Sequence, residues 1–245
     1  MLLQLERSNL SKKIPTFEYL VKEAISYLEF GLADPQGDQN ARFQHRRSSF
    51  KELQYICDGD SNGVLYFAGT SYGEHQWVNP VLSKRISISA SSPVSRYTDP
   101  KVLVSRTYQG TSFTGPRIED GRNNVWWMID FGQDHQVLNF YLSALFRHLL
   151  LMCNYYSLRQ DGSRAYIRCW NFQGSLDGKT WTDLRVHEND TTMCKPGQFA
   201  SWPIVGPSAL LPFRFFRVVL TAPTTDESNP WNFCICFLEL YGFFR

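Results

Sequence analysis

A short run of oxygen-bearing side chains is the first stretch whose spacing suggests chemistry. The letters D-G-D-S-N-G place Asp58, Asp60 and Asn62 at alternate positions, as at the start of a calcium-binding loop. A loop of the EF-hand type needs a bidentate glutamate at its twelfth position, where this chain has Gly69. A turn that precedes a strand at 64–67 accounts for the same residues. We therefore expect no metal and no cofactor, and keep these side chains as weak metal candidates only.

Acid–base chemistry has its own candidates in the same region. Glu74 and His75 follow these aspartates along the chain and, like them, belong to the residue types that transfer protons in enzymes. No nucleophile elbow, phosphate-binding loop or metal triad stands at a recognisable spacing. The five histidines are scattered through the chain. We expect no catalytic residues and no enzyme activity.

The six cysteines predict neither a disulfide framework nor a zinc site. Cys234 and Cys236 are two residues apart, but no second pair of cysteines or histidines has the spacing of metal ligands. On a strand these two side chains share one face, where they would serve as small buried hydrophobic groups. The amino terminus has no apolar core of a secretion signal, so we expect free thiols in a reducing compartment.

Long loops rich in aromatic residues are better candidates for binding than for catalysis. They occur at 69–80, 107–117 and 224–232. Aromatic rings supply rigid contact area at a small entropic cost, which favours them in recognition surfaces. The same rings are equally well explained as filling of a protein core, because a sequence does not show burial. The candidate contacts for a ligand or partner are Tyr72, Trp77, Asn79, Tyr108, Phe113, Arg117 and Trp231.

A frame for these loops is predicted at residues 170–184, which read W-N-F-Q-G-S-L-D-G-K-T-W-T-D-L. Trp170 and Phe172 are two residues apart, so on a strand they share one face. Asp177 and Gly178 form a strong turn signal, because glycine accepts a positive φ without steric cost. The segment predicts a β-hairpin with aromatic residues on both strands.

Apolar and alternating runs predict further strands at 64–67, 85–90, 126–132, 213–220 and 233–241. Aromatic residues make up 15% of the 245 residues and mostly lie in short runs between turn-forming clusters, as in all-β sandwiches. With 25 basic and 23 acidic residues the formal charge is +2. This balance gives no electrostatic reason to expect nucleic acid or a membrane as a partner.

The amino-terminal part of the chain has a different pattern of apolar and polar residues. Apolar positions recur with helical spacing over 14–30, with Pro15 in the first turn and Gly31 at the end. Residues 31–49 are polar and are interpreted as a linker. The predicted organisation is a helix plus a polar linker at 1–49, followed by a β-domain at 50–245.

Four segments of this β-domain together form a known pattern. In chain order they read W-W-M-I-D-F-G, W-N-F-Q-G-S-L-D-G-K-T-W, F-R-F-F-R-V-V-L and L-E-L-Y-G. The set resembles the discoidin, or coagulation-factor C-type, domain of the galactose-binding-like superfamily. The resemblance implies an all-β fold, a galactose-binding-like jelly-roll β-sandwich, preceded here by the short helix. It also implies that loops at the ends of the sandwich hold any ligand.

Three further segments narrow the resemblance. The letters D-G-D-S-N-G-V-L-Y-F-A-G-T, E-H-Q-W-V-N-P and G-Q-F-A-S-W-P are similar to the carboxyl-terminal domain of certain intracellular BTB/POZ proteins, notably in plants. In that family a BTB domain contacts a cullin of a ubiquitin ligase, a helical BACK domain follows, and the sandwich would meet the substrate. The sequence here contains no BTB domain. We therefore expect a truncated form in which the helix at 14–30 is a remnant of the BACK region.

One apolar segment departs from the pattern. Residues 137–150 read V-L-N-F-Y-L-S-A-L-F-R-H-L-L and stand where the pattern would pass directly into the following strand. They are too few to span a bilayer and lack the polar turn residues that join two strands. We interpret them as an in-frame insertion. A membrane-contacting element is disfavoured, because Asn139, Ser143 and Arg147 form only a narrow polar stripe with little net charge.

The function implied by the resemblance is that of a non-enzymatic protein-interaction module. It would be the substrate-recognition end of a BTB/POZ adaptor of a cullin-type E3 ubiquitin ligase, in the cytoplasm or nucleus. Its partner would be a protein substrate, and a cullin would be reached only through the BTB domain. The alternative is a carbohydrate-binding, lectin-like domain, in which Trp77 or Trp231 stacks on a sugar. Its hydroxyl groups would be bound by polar side chains from the set Asn79, Asp99, Arg117 and Asn232.

Overall fold

The structure, a computed structural model, describes residues 50–108, 110, 115–117, 124–132 and 149–245. Several sequence predictions lie outside these described residues. They are the amino-terminal helix and its linker, Phe113, and residues 137–148 of the predicted insertion.

Nine β-strands, two short α-helices and one 3₁₀ helix make up the described part of the chain. The strands are β1 (Lys51–Leu53), β2 (Ser87–Ala90), β3 (Val125–Asp130), β4 (Leu151–Gln160), β5 (Trp170–Ser175), β6 (Thr182–His187), β7 (Phe199–Pro203), β8 (Phe215–Leu220) and β9 (Ile235–Phe244). The α-helices are α1 (Val64–Gly69) and α2 (Pro100–Leu103), and the 3₁₀ helix spans Pro207–Leu210.

The strands form two antiparallel sheets. Their orders are β1-β9-β4-β7 and β2-β3-β8-β5-β6, so strands distant in sequence are neighbours in both sheets. The predicted strands at 85–90, 126–132, 213–220 and 233–241 correspond to β2, β3, β8 and β9. The predicted all-β jelly-roll sandwich is confirmed.

Alternating side chains fill the space between the sheets. In β3, Val125, Trp127 and Ile129 are fully buried, whereas the residues between them are only half-buried. Leu158 and Leu240 of the other sheet belong to the same buried cluster. Because burial of each large apolar side chain contributes about 1.5–3 kcal/mol, this layer is the main source of stability.

The hairpin predicted at 170–184 is present as β5 and β6. Trp170 and Phe172 are both completely buried on one face of β5. Gly178 has a φ of +70°, as the turn requires. The Asp177 carboxylate accepts hydrogen bonds from the N–H groups of the two residues after Gly178, each at 2.8 Å. Hydrogen bonds between residues of the turn itself therefore stabilise this hairpin.

The strand predicted at 64–67 is wrong, because this segment is the helix α1. Val64, Leu65 and Ala68 are buried, which is a helical rather than an alternating spacing. The Glu239 carboxylate accepts the free N–H groups of the first helical turn, from Leu65 at 2.7 Å and from Tyr66 at 3.1 Å. A residue far along the chain thus selects the helix, and no local pattern indicates it.

The last two residues of the predicted insertion belong to the sandwich. Leu149 and Leu150 are both buried, with 8% and 4% of their surface exposed. The backbone of Leu150 exchanges two hydrogen bonds with Arg245, at 3.0 and 3.1 Å, and so extends the pairing of β4 with β9. The hypothesis of an insertion is therefore confined to 137–148, where it stays a prediction.

The sandwich has two ends, which we name after the first and last residues of β4. At the Leu151 end a bridge between Leu151 and Phe213 joins the two sheets, and the loop at 70–86 leads into β2 there. At the Gln160 end the connections 161–169 and 221–234 pass from one sheet to the other. The loop after β2 also lies at the Gln160 end. The predicted binding loops are thus divided between the two ends.

Candidate functional site

The acidic run at the start of the domain forms a turn that its own carboxylates stabilise. Asp60 accepts hydrogen bonds from the N–H groups of Ile56 at 2.8 Å, Cys57 at 3.2 Å and Asn62 at 3.0 Å. Asp58 accepts two hydroxyl hydrogen bonds. In the described part of the chain no group of three or more histidine, cysteine, aspartate or glutamate residues is placed to hold a metal ion. The weak metal candidates therefore have a structural use.

Two aromatic candidates of the loop at 69–80 pack onto the domain. The Tyr72 ring lies 5.6 Å from the ring of Phe67 and 6.0 Å from that of Phe244, and it is part of the apolar core. Trp77 covers Gly69 so closely that a Cβ at this glycine would lie 2.4 Å from the indole nitrogen. Both rings act mainly as packing groups.

The polar candidate of the same loop is also engaged. The side-chain oxygen of Asn79 accepts the N–H of Val81 at 3.1 Å, and its amide donates to the carbonyl of Lys101 at 3.0 Å. Asp99, a further candidate for sugar binding, accepts the N–H of Lys101 at 3.0 Å at the start of α2. Part of the hydrogen-bonding capacity of these two residues is therefore used within the domain.

Arg117 and Trp231 lie on two loops that meet at the Gln160 end. The N–H of Phe233 donates to the carbonyl of Pro116 at 2.9 Å, which joins the two loops. Ser92 holds the backbone of Arg117 through hydrogen bonds of 2.8 and 3.0 Å, while the Arg117 side chain is exposed. Trp231 is half-buried and packs against the core.

Tyr108 is the candidate that the structure places in an open cleft. The guanidinium carbon of Arg159 lies 3.8 Å from the centre of the Tyr108 ring and 4.6 Å from that of Phe199. Arg159 is the second-last residue of β4 and Phe199 begins β7, and residues of β9 and of the segment after α2 complete the lining of the cleft. The cavity has a volume of about 40 Å³, and exposed Thr107 lies at its rim. We name it the Arg159 cleft.

A tight turn on one side positions the Arg159 cleft. The Nε of Arg159 donates to the carbonyl of Gly197 at 2.9 Å. Gly197 has a φ of +69°, and a Cβ there would lie 2.7 Å from the Tyr108 hydroxyl. Only glycine satisfies both the turn and the contact. Gly197 therefore lies against both Arg159 and Tyr108.

A second arginine lines the cleft but has its own counter-ion. Arg106 donates to the carbonyl of Gly59 at 2.7 Å, and its guanidinium lies 3.7 Å from Glu239. Burial raises the pKa of Glu239 to about 7, an effect that hydrogen bonds from backbone N–H groups and the charge of Arg106 offset only in part. Among the described residues no carboxylate forms an ion pair with Arg159.

A chain of hydrogen bonds between the sheets has the residue types of a proton relay. The indole of Trp170 donates to the Tyr156 hydroxyl at 3.0 Å, which lies 2.6 Å from Nε2 of His187. Nδ1 of His187 lies 2.7 Å from the carboxylate of Asp190. Desolvation lowers the pKa of His187 below its ordinary value, although its hydrogen bond to Asp190 acts in the opposite direction. The neutral ring therefore donates to Asp190 and accepts from Tyr156.

This relay cannot act on a substrate. Tyr156 has no exposed surface and His187 only 3%. It joins β4 to β6 and so stabilises the contact between the sheets. Sequence analysis missed both His187 and Arg159. The usable signal for Arg159 was its outward position in an otherwise buried strand, between Leu158 and Gln160.

No helix in the described residues is both long and apolar enough to cross a membrane.

Comparison with known proteins identifies relatives of this chain. It is 66% identical, over all of its 245 residues, to a BTB/POZ domain-containing protein of Arabidopsis thaliana. Two weaker matches are the E3 ubiquitin-protein ligases hecd-1 of Caenorhabditis elegans, 30% identical over 78% of this chain, and Ufd4 of Drosophila melanogaster, 28% identical over 66%. The chain spans 29%, 6% and 5% of these relatives, respectively. No protein-family profile matches it.

Solved structures with a similar fold are distant in sequence. A chitosan-binding module of a Paenibacillus chitosanase/glucanase is 15% identical, with a TM-score of 0.42 over 64% of this chain and 96% of the module. A CBM32 domain of a Clostridium perfringens family 31 glycoside hydrolase is 14% identical, with a TM-score of 0.43 over 65% of this chain and 92% of the domain. The resemblance drawn from the sequence is confirmed: the chain is homologous over its whole length to a segment of a plant BTB/POZ domain-containing protein, and its described residues form a β-sandwich of two antiparallel sheets.

Proposed function

We propose that this domain is a non-enzymatic module that recognises a protein partner at its Gln160 end. In the longer protein it would be the substrate-recognition segment of a BTB/POZ adaptor of a cullin-type ubiquitin ligase, at work inside the cell. The plant relative is named for its BTB/POZ domain, and two further relatives are named as E3 ubiquitin-protein ligases. The cullin would bind to the BTB part and not to this domain.

The observation that carries the proposal is the Arg159 cleft. It is the place in the described structure where a predicted binding residue, Tyr108, lines a cavity together with a cation. Tyrosine and arginine are among the residues that dominate the binding energy of protein interfaces, particularly in desolvated pockets. Tyr156 and His187 of the relay are buried, which favours a structural role over a catalytic one.

The carbohydrate alternative has weaker support in the geometry. Trp77 covers Gly69 and Trp231 packs against the core, so neither ring is a free platform. Asn79 and Asp99 already use their polar atoms within the domain. We therefore keep sugar binding as an outcome of the test below.

The test is a selection of peptides from a displayed random library on the full chain, in parallel with a glycan array. We expect enriched peptides to bind, and Tyr108→Ala to weaken them by at least about tenfold, the loss of a typical interface anchor. The matched control is Tyr97→Ala, which removes an exposed tyrosine outside the cleft. Fluorescence anisotropy of labelled peptides measures both variants.

Either of two results contradicts the proposal. One is binding of glycans without any enriched peptide. The other is peptide binding that Tyr97→Ala and Tyr108→Ala leave equally unchanged, which would place the recognition surface elsewhere.

A further inference from the structure

Arg159 carries a charge that no acidic group of the described structure neutralises. Its guanidinium is half-buried between two aromatic rings, and one nitrogen donates to the carbonyl of Gly197. The remaining four N–H groups have no acceptor among the described residues. Arginine without a carboxylate partner is common on open surfaces, but here the rings and the turn hold it at the wall of a cavity.

The neighbouring arginine shows the contrast. Arg106 lines the same cavity, yet it has carbonyl acceptors in the turn at 59–60 and lies 3.7 Å from the buried carboxylate of Glu239. The positive charge of Arg106 thus has carbonyl acceptors and a partly ionised carboxyl group beside it inside the domain. The charge of Arg159 is left for a ligand.

Contacts with the two rings reduce the rotamer freedom of Arg159 that a ligand would otherwise have to restrict. The Gly197 carbonyl accepts only the Nε–H, so the N–H groups of the two terminal nitrogens are left for a ligand. The edge of a guanidinium presents two parallel N–H groups, which fit the two oxygens of a carboxylate. The Tyr108 hydroxyl lies beside the same cavity and has no hydrogen-bond partner within the described ranges.

The small volume of the cavity favours a small ligand group. Its volume is about 40 Å³. A water molecule needs roughly 10–15 Å³ on the same measure, so the cavity accepts about three heavy atoms. A carboxylate has three, so the enclosed part of the cleft can hold one.

We propose that the Arg159 cleft binds one carboxylate of the protein partner, from either an acidic side chain or a free carboxyl terminus. Arg159 is the anchor, and Tyr108 contributes its ring to the guanidinium and its hydroxyl to the ligand. The inference rests on the proposed function, since it names the chemical group that the partner presents.

The experiment uses three pools of random synthetic peptides that lack acidic side chains except where stated. The first has a free carboxyl terminus, the second has an amidated terminus and one internal glutamate, and the third has an amidated terminus and glutamine in its place. Anisotropy with the full chain is expected to show binding of the first or the second pool at least about tenfold tighter than of the third. The preferred pool identifies the source of the carboxylate.

Variants connect this preference to the cleft. Arg159→Gln is expected to remove the difference between the pools, and Arg159→Lys to retain part of it, because lysine keeps the charge but loses the paired donors. The control Arg164→Gln removes an exposed arginine that does not line the cleft, and the difference should remain. Melting temperatures show whether each variant is folded. If Arg159→Gln does not fold, the comparison of pools on the wild-type chain and on Arg159→Lys still decides the result.

A titration with acetate, with acetamide as its neutral control, separates this inference from the proposed function. NMR signals of the Arg159 side chain are expected to shift with acetate only. Equal binding of all three pools together with no acetate shift would overturn the carboxylate site and leave protein recognition standing. An acetate shift without binding of any peptide pool would support the anion site and contradict protein recognition.

Discussion

At the scale of single residues, the domain uses ionisable groups in two different ways. His187 and Glu239 are buried, and their hydrogen bonds connect distant parts of the chain. Arg159 lines an open cleft, so its charge is accessible to a ligand. Burial therefore separates groups that stabilise the fold from a group that is free to bind. The distinction can be tested, because buried groups couple stability to pH.

Stability should depend on pH through His187. The folded chain holds His187 neutral because desolvation lowers its pKa, whereas the unfolded chain binds the proton near the ordinary value of 6.5. Protonation below about pH 6.5 thus favours the unfolded chain. The contribution of His187 is complete above that pH and is lost as the pH falls. We expect the variant His187→Gln to lack this part of the dependence, as measured by urea unfolding between about pH 5 and 8.

Glu239 changes stability with pH in the opposite direction, and its effect must be separated from that of His187. Its pKa is raised to about 7 in the folded chain, so its contribution is complete below the ordinary value of 4.5 and is lost as the pH rises through 7. The difference between wild type and His187→Gln at each pH cancels the Glu239 effect, since both chains contain it. A difference that stays constant from pH 5 to 8 would contradict the proposed neutral state of His187.

At the scale of elements, the close pairing of β4 with β9 depends on a glycine. The pairing is irregular between Cys153 and Tyr155, opposite Gly242, which has a φ of +144°. A Cβ at Gly242 would lie 2.0 Å from the carbonyl oxygen of Met152. The backbone cannot move away without breaking the ladder. This irregularity therefore fixes the residue type.

We expect Gly242→Ala to destabilise the domain by about 2–5 kcal/mol, from backbone strain and a clash with a main-chain atom. The matched control is Gly206→Ala, where φ is +91° but no atom lies within 4 Å of the added Cβ. Strain alone should cost about 1–2 kcal/mol there. Urea unfolding measures both variants. Equal losses would show that the close approach at Gly242 relaxes easily.

A helix or strand could be predicted when the residues that stabilise it lie within the same stretch of sequence. The β5–β6 hairpin followed from Trp170, Phe172 and the turn at Asp177, which are all local. The helix α1 was mistaken for a strand, because Glu239 satisfies its first turn from the other end of the domain. Six residues are too few to stabilise an isolated helix in water. Its conformation is decided by tertiary contacts that the sequence does not show locally.

At the scale of the whole molecule, the chain is a homologue of one segment of a larger BTB/POZ protein. Of the seven binding candidates, Tyr108 alone lines the Arg159 cleft, and Phe113 lies outside the described residues. Aromatic composition pointed to the loops, but it could not separate rings that bind a partner from rings that pack against the domain. The distinction depends on the positions of the paired strands β4 and β7, which supply Arg159 and Phe199.

The most direct test of protein recognition at the Gln160 end is hydrogen exchange of the full chain with and without a peptide selected on it. Binding slows the exchange of backbone amides that it covers. We predict slower exchange at 105–108 and 197–199, which border the Arg159 cleft. Protection confined to the loop at 70–86, at the Leu151 end, would contradict the proposed site.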